Sequence, residues 1–220
     1  MRLKNIFSVI IIALAFISCK KESVDTIGGT QSAIGAVGAT VSSSTAAVAG
    51  VSSITGRVAT LTDGVSSFSG SAVITNATIK NIMSNWSGAV INGNNVSVTG
   101  IKARFTSEGI EGIEPLEPGV IVNYSSEVGD TYKGSNGVVR TVVSKSTTDD
   151  YYWGGAENKD GSPSKGGFNI KVMKVEETPM VLGVKKITYI ANHRWGLVGV
   201  EFTFDDNSVA KFPVFSSASN

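Results

Sequence analysis

Residues 197–215 read LVGVEFTFDDNSVAKFPVF, and this stretch decides the fold class. Two runs of β-branched and aromatic residues flank the four polar residues DDNS at positions 205–208. β-Branched and aromatic side chains favour strands, whereas Asp, Asn and Ser favour tight turns. The stretch therefore predicts an antiparallel hairpin.

Similar short runs precede this hairpin, and turn residues separate them. In the run at residues 94–105 the alternation of apolar and polar residues shifts by one position at Gly100, which predicts a β-bulge. About seven strands without alternating long helices predict a mainly β domain, either an antiparallel β-sandwich or a barrel-like domain. The earlier runs are NNVSVTGIKARF (94–105), GVIVNY (119–124), GVVRTVV (137–143), FNIKVMKV (168–175) and KKITYIANHRW (185–195).

Residues 76–86 carry a helical pattern, because apolar side chains recur at i, i+3, i+4 and i+7 from Ile79 onward. Asn76 or Thr78 is placed to cap the start of a helix, and Gly88 lies just past its end. The pattern predicts one short amphipathic helix whose apolar stripe packs in the core.

Residues 23–70 are rich in Gly, Ala, Ser, Thr and Val, and they leave two interpretations open. Small side chains bury too little surface to offset the entropy of ordering, which favours a flexible tether. Val51, Val58 and Val65 instead continue a seven-residue apolar repeat, the spacing of a coiled-coil seam, although several glycines oppose a helix. We expect a tether to about residue 45, followed by a segment that is helical or bound to a partner.

The first nineteen residues divide into a basic start, an apolar run and a small residue before the only cysteine. Arg2 and Lys4 form the basic start, residues 6–17 are almost wholly apolar, and Ser18 precedes Cys19. This is the plan of a secretory signal peptide, and its apolar run is too short to cross a bilayer of about 30 Å.

A small residue followed by cysteine at the cleavage point resembles the lipobox of bacterial lipoproteins. The resemblance implies cleavage between Ser18 and Cys19, diacylation of the thiol and acylation of the new amino terminus. The chain departs from the commonest pattern at Phe16, where Leu is usual, and at Ile17, where Ala or Ser is frequent. Buried acyl chains contribute about 0.8 kcal/mol per methylene, so a fully modified Cys19 would hold the protein on a membrane. The resemblance thus implies a lipid-anchored location in the bacterial cell envelope, at the outer membrane, either on its periplasmic face or at the cell surface.

The residues after Cys19 add two weaker resemblances. The charged run KKES, followed by Asp25, resembles the segment after the lipid-bearing cysteine in surface-exported lipoproteins of Bacteroidota. Asp25, Thr26 and Ile27 resemble the O-glycosylation signal of that phylum, which implies a sugar on Thr26. A solvated linker is the alternative interpretation.

Charge and cysteine content exclude several classes of function. Of the 19 Lys and Arg residues, Arg2 and Lys4 lie in the signal, which leaves 17 basic side chains against 18 acidic ones. This balance argues against a nucleic-acid partner, which demands a basic face. With Cys19 assigned to lipid, no cysteine is left for a disulfide, a structural zinc ion or a thiol nucleophile.

The candidates for catalysis and metal binding are weak. His193 is the only histidine, and no G-x-S-x-G elbow accompanies it. Acid doublets such as Asp149 and Asp150 point to opposite faces of a strand and make poor acid–base partners. The segment around Asp160 lacks two ligands of a calcium loop, although Glu157 and the neighbouring acids leave an irregular calcium site open. We predict no catalytic residue, no cofactor and no metal site.

Residues 146–167 read STTDDYYWGGAENKDGSPSKGG and form the most suggestive binding segment. Tyr151, Tyr152 and Trp153 are consecutive, follow two acids and precede a glycine-rich stretch. Aromatic rings beside polar acceptors suit a sugar or a protein partner. Alternatively, Tyr151 and Trp153 pack inward at the end of a strand and leave only Tyr152 exposed.

The sequence therefore predicts three regions: a lipoprotein signal peptide (1–18), a lipid-anchored low-complexity tether (19–70) and a β-rich globular domain (71–220). The leading functional hypothesis is a lipid-anchored, non-enzymatic envelope protein whose β-domain binds a glycan or a protein. Two alternatives stay open: an envelope-bound polysaccharide hydrolase that uses dispersed carboxylates, and a structural subunit of an envelope assembly.

Replacing Cys19 by alanine should abolish acylation, because the thiol that receives the diacyl group is lost. The measurement is labelling of expressing cells with a clickable fatty acid, followed by fractionation of the membranes. Ser23→Ala is the control and should keep the label. Equal labelling of wild type and Cys19→Ala would contradict the lipobox assignment.

Overall fold

The computed structural model describes residues 26–43, 49–114, 118–134, 137–154, 166–179 and 183–218. In this part of the chain every strand pairing is antiparallel. Within the described residues a 3-10 helix (Ala33–Gly35) precedes the strands, and one α-helix, α1 (Ala77–Ser84), lies among them. The predictions of a mainly β fold and of one short helix are confirmed.

A large sheet of eight strands curls into a half-barrel. Its strands are β1 (Thr40–Ser42), β2 (Val51–Thr62), β3 (Val65–Ile74), β4 (Ala89–Asn92), β5 (Asn95–Phe105), β6 (Gly109–Gly112), β7 (Gly119–Asn123) and β16 (Phe215–Ser217). Neighbouring strands follow the order β16-β1-β2-β3-β5-β6-β7, and β4 pairs with β5.

A second sheet of six strands faces the large one, and a two-stranded sheet lies beside them. The six strands are β8 (Thr131–Lys133), β9 (Val139–Lys145), β12 (Met173–Glu177), β13 (Val184–Asn192), β14 (Gly196–Phe204) and β15 (Val209–Pro213), and the pair is β10 (Tyr151–Trp153) and β11 (Phe168–Ile170). The order of the second sheet is β15-β14-β13-β12-β9-β8.

The predicted hairpin is formed by β14 and β15. In its turn the carboxylate of Asp206 accepts hydrogen bonds from the hydroxyl of Ser208 at 2.6 Å and from its backbone N–H at 2.9 Å. The hydroxyl bond, and after it the backbone bond, lowers the pKa of Asp206. Local side-chain bonding therefore fixes the turn that the sequence predicts.

The predicted helix and bulge are also present. The Oδ1 atom of Asn76 accepts a hydrogen bond from the N–H of Ile79 at 3.0 Å, which caps the first turn of α1. In β5, Ile101 pairs with Phe68 and Thr99 pairs with Ser69, so Gly100 is left without a partner on β3 as the extra residue of a bulge.

The interpretation of residues 19–70 as a tether differs from the structure where that range is described, and residues 19–25 and 44–48 lie outside the described residues. β1, β2 and the first part of β3 lie in that range, and the boundary at residue 70 falls inside β3. The helical alternative differs too, because Val51 and Val58 lie in β2. The Ser, Thr and Val residues of β2 and β3 form strands because each strand pairs along its length with a long neighbouring strand. This pairing buries the backbone, which compensates for the small apolar surface of the side chains.

β-Bulges in β2 explain why its residues imitate a heptad. Between Ser52 and Thr55 the strand advances by three residues while β3 advances by two. The extra residue shifts the two-residue alternation, so Val51 and Val58, seven positions apart, are both buried. An odd spacing on one face is thus compatible with a bulged strand as well as with a helix.

Two of the predicted runs each divide into two strands. FNIKVMKV divides into β11 and β12, and SVAKFPVF divides into β15 and β16. At the second division the N–H of Val214 donates to the carbonyl oxygen of Val198 at 3.0 Å, just after Pro213. Pro213 has no N–H to continue a ladder, and the chain crosses there from the second sheet to pair with β1.

Three apolar clusters fill the space between the sheets. The first joins β7 to the second sheet, with Val122 and Val175 at its centre. The second joins α1, β2, β3 and β5 to β15 through Phe212. The third lies under the two-stranded sheet and contains Trp153 and Ile190.

A buried ion pair ties the second sheet to the large one. The Nε atom of Arg140 donates to an oxygen of Glu177 at 2.7 Å, and its Nη1 atom donates to the carbonyl oxygen of Val120 on β7 at 3.1 Å. The hydroxyl of Tyr189 donates to the other oxygen of Glu177 at 2.9 Å. A carboxylate with two side-chain donors avoids the cost of an unpaired buried charge.

Replacing Glu177 by alanine should lower the free energy of unfolding by about 3–5 kcal/mol, because Arg140 is left buried without its counter-ion. Glu127→Ala is the control, because Glu127 forms an ion pair with Lys145 but is exposed. Its loss should lower the free energy of unfolding by less than about 1 kcal/mol. Urea unfolding measures both. Equal, small losses for the two variants would show that the buried pair does not stabilise the fold.

Candidate ligand-binding cavity

An apolar cavity of about 280 Å³ lies between the half-barrel and the second sheet. Its lining includes residues that belong to or pack against each of the three clusters, and β1, β2, β3 and β5 supply most of its walls. Its apolar lining side chains are Ile34, Val41, Ile54, Phe68, Ala72, Met83, Val96, Val98, Ile101, Ala103, Phe105, Trp195, Leu197 and Val214.

A row of small residues across the half-barrel makes the room for this cavity. Ser216, Val41, Gly56, Gly70 and Val98 lie opposite one another on successive strands from β16 to β5. All five line the cavity. Gly56 and Gly70, in the middle of this row, have no side chain. The inner face of the sheet therefore leaves an open space there, which a larger side chain would fill.

Gly70 allows a close approach of two strands. A Cβ atom at residue 70 would lie 2.8 Å from the backbone oxygen of Thr55, inside van der Waals contact. A Cβ atom at residue 56 would lie 2.7 Å from Cγ1 of Val41, which is a side-chain atom that a rotamer change can move. A larger residue at position 70 would therefore clash with the backbone, whereas one at position 56 would clash with a side chain that can move.

Half-buried apolar side chains face the cavity. Phe68 and Phe105 meet edge to face, with ring centroids 5.4 Å apart and ring planes at 60°. Leu197 from β14 and Met83 from α1 line the cavity as well, and all four side chains are intermediate in exposure. Apolar surface that the fold leaves partly wet is surface that an apolar ligand can cover.

The polar groups of the lining are neutral hydroxyls. Thr55 and Ser71 hydrogen-bond to each other at 3.2 Å, and the hydroxyl of Ser216 donates to the carbonyl oxygen of Trp195 at 2.6 Å. Among the described residues that line the cavity, none has a titratable side chain. An apolar ligand can therefore contact these walls without burying a charged side chain.

The residues predicted to carry lipid and sugar lie away from this cavity or outside the described residues. Ser18 and Cys19 are outside them. Thr26 is described and exposed, at a polar cleft beside Asp130 and Tyr132. The proposed sugar on Thr26 would therefore meet solvent.

The predicted aromatic surface is only partly exposed. Trp153 is buried, packs on Trp195 with centroids 5.0 Å apart, and donates from Nε1 to the carbonyl oxygen of Val214 at 2.7 Å. Tyr151 and Tyr152 are half-buried, and Tyr151 packs against the same cluster as Trp153. Trp153 and Tyr151 thus correspond to the inward-packing alternative, and Trp153 does not present a face to a ligand.

The weak catalytic and calcium candidates do not converge in the described residues. His193 is exposed in the turn between β13 and β14. Asp149 and Asp150 are exposed, and Ser146 donates a hydrogen bond to Asp150. Glu157 and Asp160 lie outside the described residues. Among the residues that are described, no three His, Cys, Asp or Glu side chains are grouped to hold a metal ion.

The sequence interpretation missed the cavity, because the residues that create it look like a tether. The signal is the motif SFSGSA at 67–72 opposite TGR at 55–57, in which small residues occupy the centre of two long strands. Small residues in a strand core mark a hollow or a close approach. The motif is interpretable only after the register is known.

No family model, no curated protein and no solved structure matches this chain. Within the described residues no helix has both the length and the apolar character needed to cross a bilayer.

Gly70→Ala should destabilise the protein by about 1–3 kcal/mol, because the new methyl group meets a backbone oxygen and the strands must move apart. Gly56→Ala, one strand away, should cost less because Val41 can change rotamer. Thermal unfolding of the two variants gives the comparison. Gly70→Ala as stable as wild type would contradict the described approach of β2 and β3.

Proposed function

We propose that the protein is a lipid-anchored, non-enzymatic binding protein of the bacterial cell envelope, and that it carries an apolar ligand in the cavity between its sheets. The observation that carries this proposal is the apolar lining without a titratable group. Ligand cavities in proteins are concave, mostly apolar and largely formed before the ligand arrives.

The size of the cavity indicates the size of the ligand. A cavity of about 150 Å³ accepts benzene, so about 280 Å³ has room for roughly ten to twelve carbon atoms. About ten methylene groups contribute on the order of 8 kcal/mol before the costs of association, so the dissociation constant is micromolar or weaker. A single alkyl chain or a small fused-ring compound fits these limits.

The anchor on Cys19 supports the same proposal. Acyl chains on this residue would keep the β-domain beside a bilayer, where apolar molecules are concentrated. Thr26 is seven residues beyond Cys19, so the intervening chain extends at most about 25 Å. The domain would therefore stay close to the membrane surface.

The cavity changes the expected class of ligand. A glycan needs hydrogen-bond partners for its hydroxyls beside an aromatic face, and the lining offers a few hydroxyls that are already partly engaged. An acyl or aromatic hydrocarbon needs no such partner. The geometry of the cavity therefore favours an apolar ligand over a glycan.

Enlarging Ala72, which lines the cavity on β3, should weaken binding of a neutral apolar probe. 1-Naphthylamine, which has ten carbon atoms and whose emission shifts to shorter wavelength in an apolar site, is titrated into the protein and displaced with dodecanol. Ala72→Leu fills part of the cavity and should raise the dissociation constant at least tenfold. Ala103→Leu, at a second lining position, should do the same.

Ala59→Leu is the matched control, because Ala59 is an exposed residue of β2 outside the lining. Its dissociation constant should equal that of wild type. Thermal unfolding of all variants separates a filled cavity from a failed fold. Folded Ala72→Leu and Ala103→Leu proteins that bind the probe as wild type does would overturn the proposal.

A further inference from the structure

An exposed cationic side chain stacks on Trp195, one of the residues that line the cavity. Trp195 lines the cavity, and the guanidinium carbon of Arg194 lies 4.9 Å from the centroid of its ring. Arg194 is exposed and forms no ion pair with any residue that the structure describes. Trp195 is itself half-buried, so its ring borders both the cavity and the solvent that surrounds Arg194.

The turn that carries Arg194 is fixed by a buried side chain. The Oδ1 atom of Asn192 accepts hydrogen bonds from the backbone N–H of Arg194 at 2.8 Å and from that of Trp195 at 3.1 Å. The Nδ2 atom of Asn192 donates to the carbonyl oxygen of Lys171 at 2.8 Å. Because Asn192 is itself buried, the backbone beneath Arg194 is held in one place.

The same turn is held from the side of the large sheet. Ser216, a lining residue of β16, donates its hydroxyl to the carbonyl oxygen of Trp195. The indole of Trp195 also packs on Trp153, and the centroid of its ring lies 6.4 Å from that of Phe168. The ring of Trp195 is thus packed against the two-stranded sheet, and its backbone is hydrogen-bonded to β16.

We infer that the ligand is an amphiphile: an apolar chain that fills the cavity and ends in an anionic oxygen group, which Arg194 binds at the Trp195 wall. A planar guanidinium donates two parallel hydrogen bonds to a carboxylate or a phosphate, which a neutral head group cannot receive with the same strength. Arg194 would then be the residue that determines specificity for the charged head. This inference rests on the proposed apolar cavity.

The test compares ligands that share one chain and differ in the head group. Dodecanoate, dodecyl phosphate and dodecanol each displace 1-naphthylamine from the full mature protein. Wild type should bind the two anions about threefold to tenfold more tightly than dodecanol, a range set by the exposure of Arg194. Arg194→Gln should abolish this preference and leave the affinity for dodecanol unchanged.

Arg57→Gln is the control, since Arg57 is an exposed arginine of β2 that does not line the cavity. It should keep the preference for anions. Equal affinity of wild type for dodecanol and dodecanoate, or a preference that survives in Arg194→Gln, would overturn the inference and leave the apolar cavity standing. Failure of all three compounds to displace the probe would instead overturn the cavity itself.

Discussion

The approach of β2 to β3 at Gly56 and Gly70 is the constraint on which the site depends. Two glycines opposite each other leave the middle of the half-barrel without side chains, and the backbone oxygen of Thr55 occupies the space that a methyl group at residue 70 would need. Protein interiors are close-packed, so a hollow of this size between two sheets requires walls that cannot collapse. Here the walls are held apart by the clusters around the hollow.

Those clusters, one crossing of the chain and one buried side chain fix the distance between the sheets. The chain leaves the second sheet after Pro213 and pairs with β1 as β16, so the half-barrel is tied to the second sheet at that edge. At the other edge Arg140 bonds at once to Glu177 within the second sheet and to the backbone of β7. A cavity bounded by two ties can stay open without a ligand, which is the condition for a site formed in advance.

Local chemistry explains which parts of the structure the sequence predicts. The turn at Asp206, the cap at Asn76 and the bulge at Gly100 each depend on residues close in sequence, and all three are confirmed. β2 was misinterpreted because its bulges break the two-residue alternation that identifies a strand. The cavity exists because Gly56 and Gly70 have no side chains, so no motif of reactive residues marks it in the sequence. Trp153, in contrast, belongs to a conspicuous aromatic motif but is buried in the structure.

A domain that holds an apolar chain beside a bilayer would use the hydrophobic effect twice, once for its own anchor and once for its ligand. The most direct measurement is of nuclear Overhauser effects between protonated dodecanol and the methyl-labelled protein. Contacts from the chain methylenes to the methyl groups of Leu197, Ile101 and Met83, which line the cavity, are the predicted result. Contacts confined to exposed methyl groups such as those of Val90 and Val209 would show that the chain stays on the surface, and would contradict the cavity as a binding site.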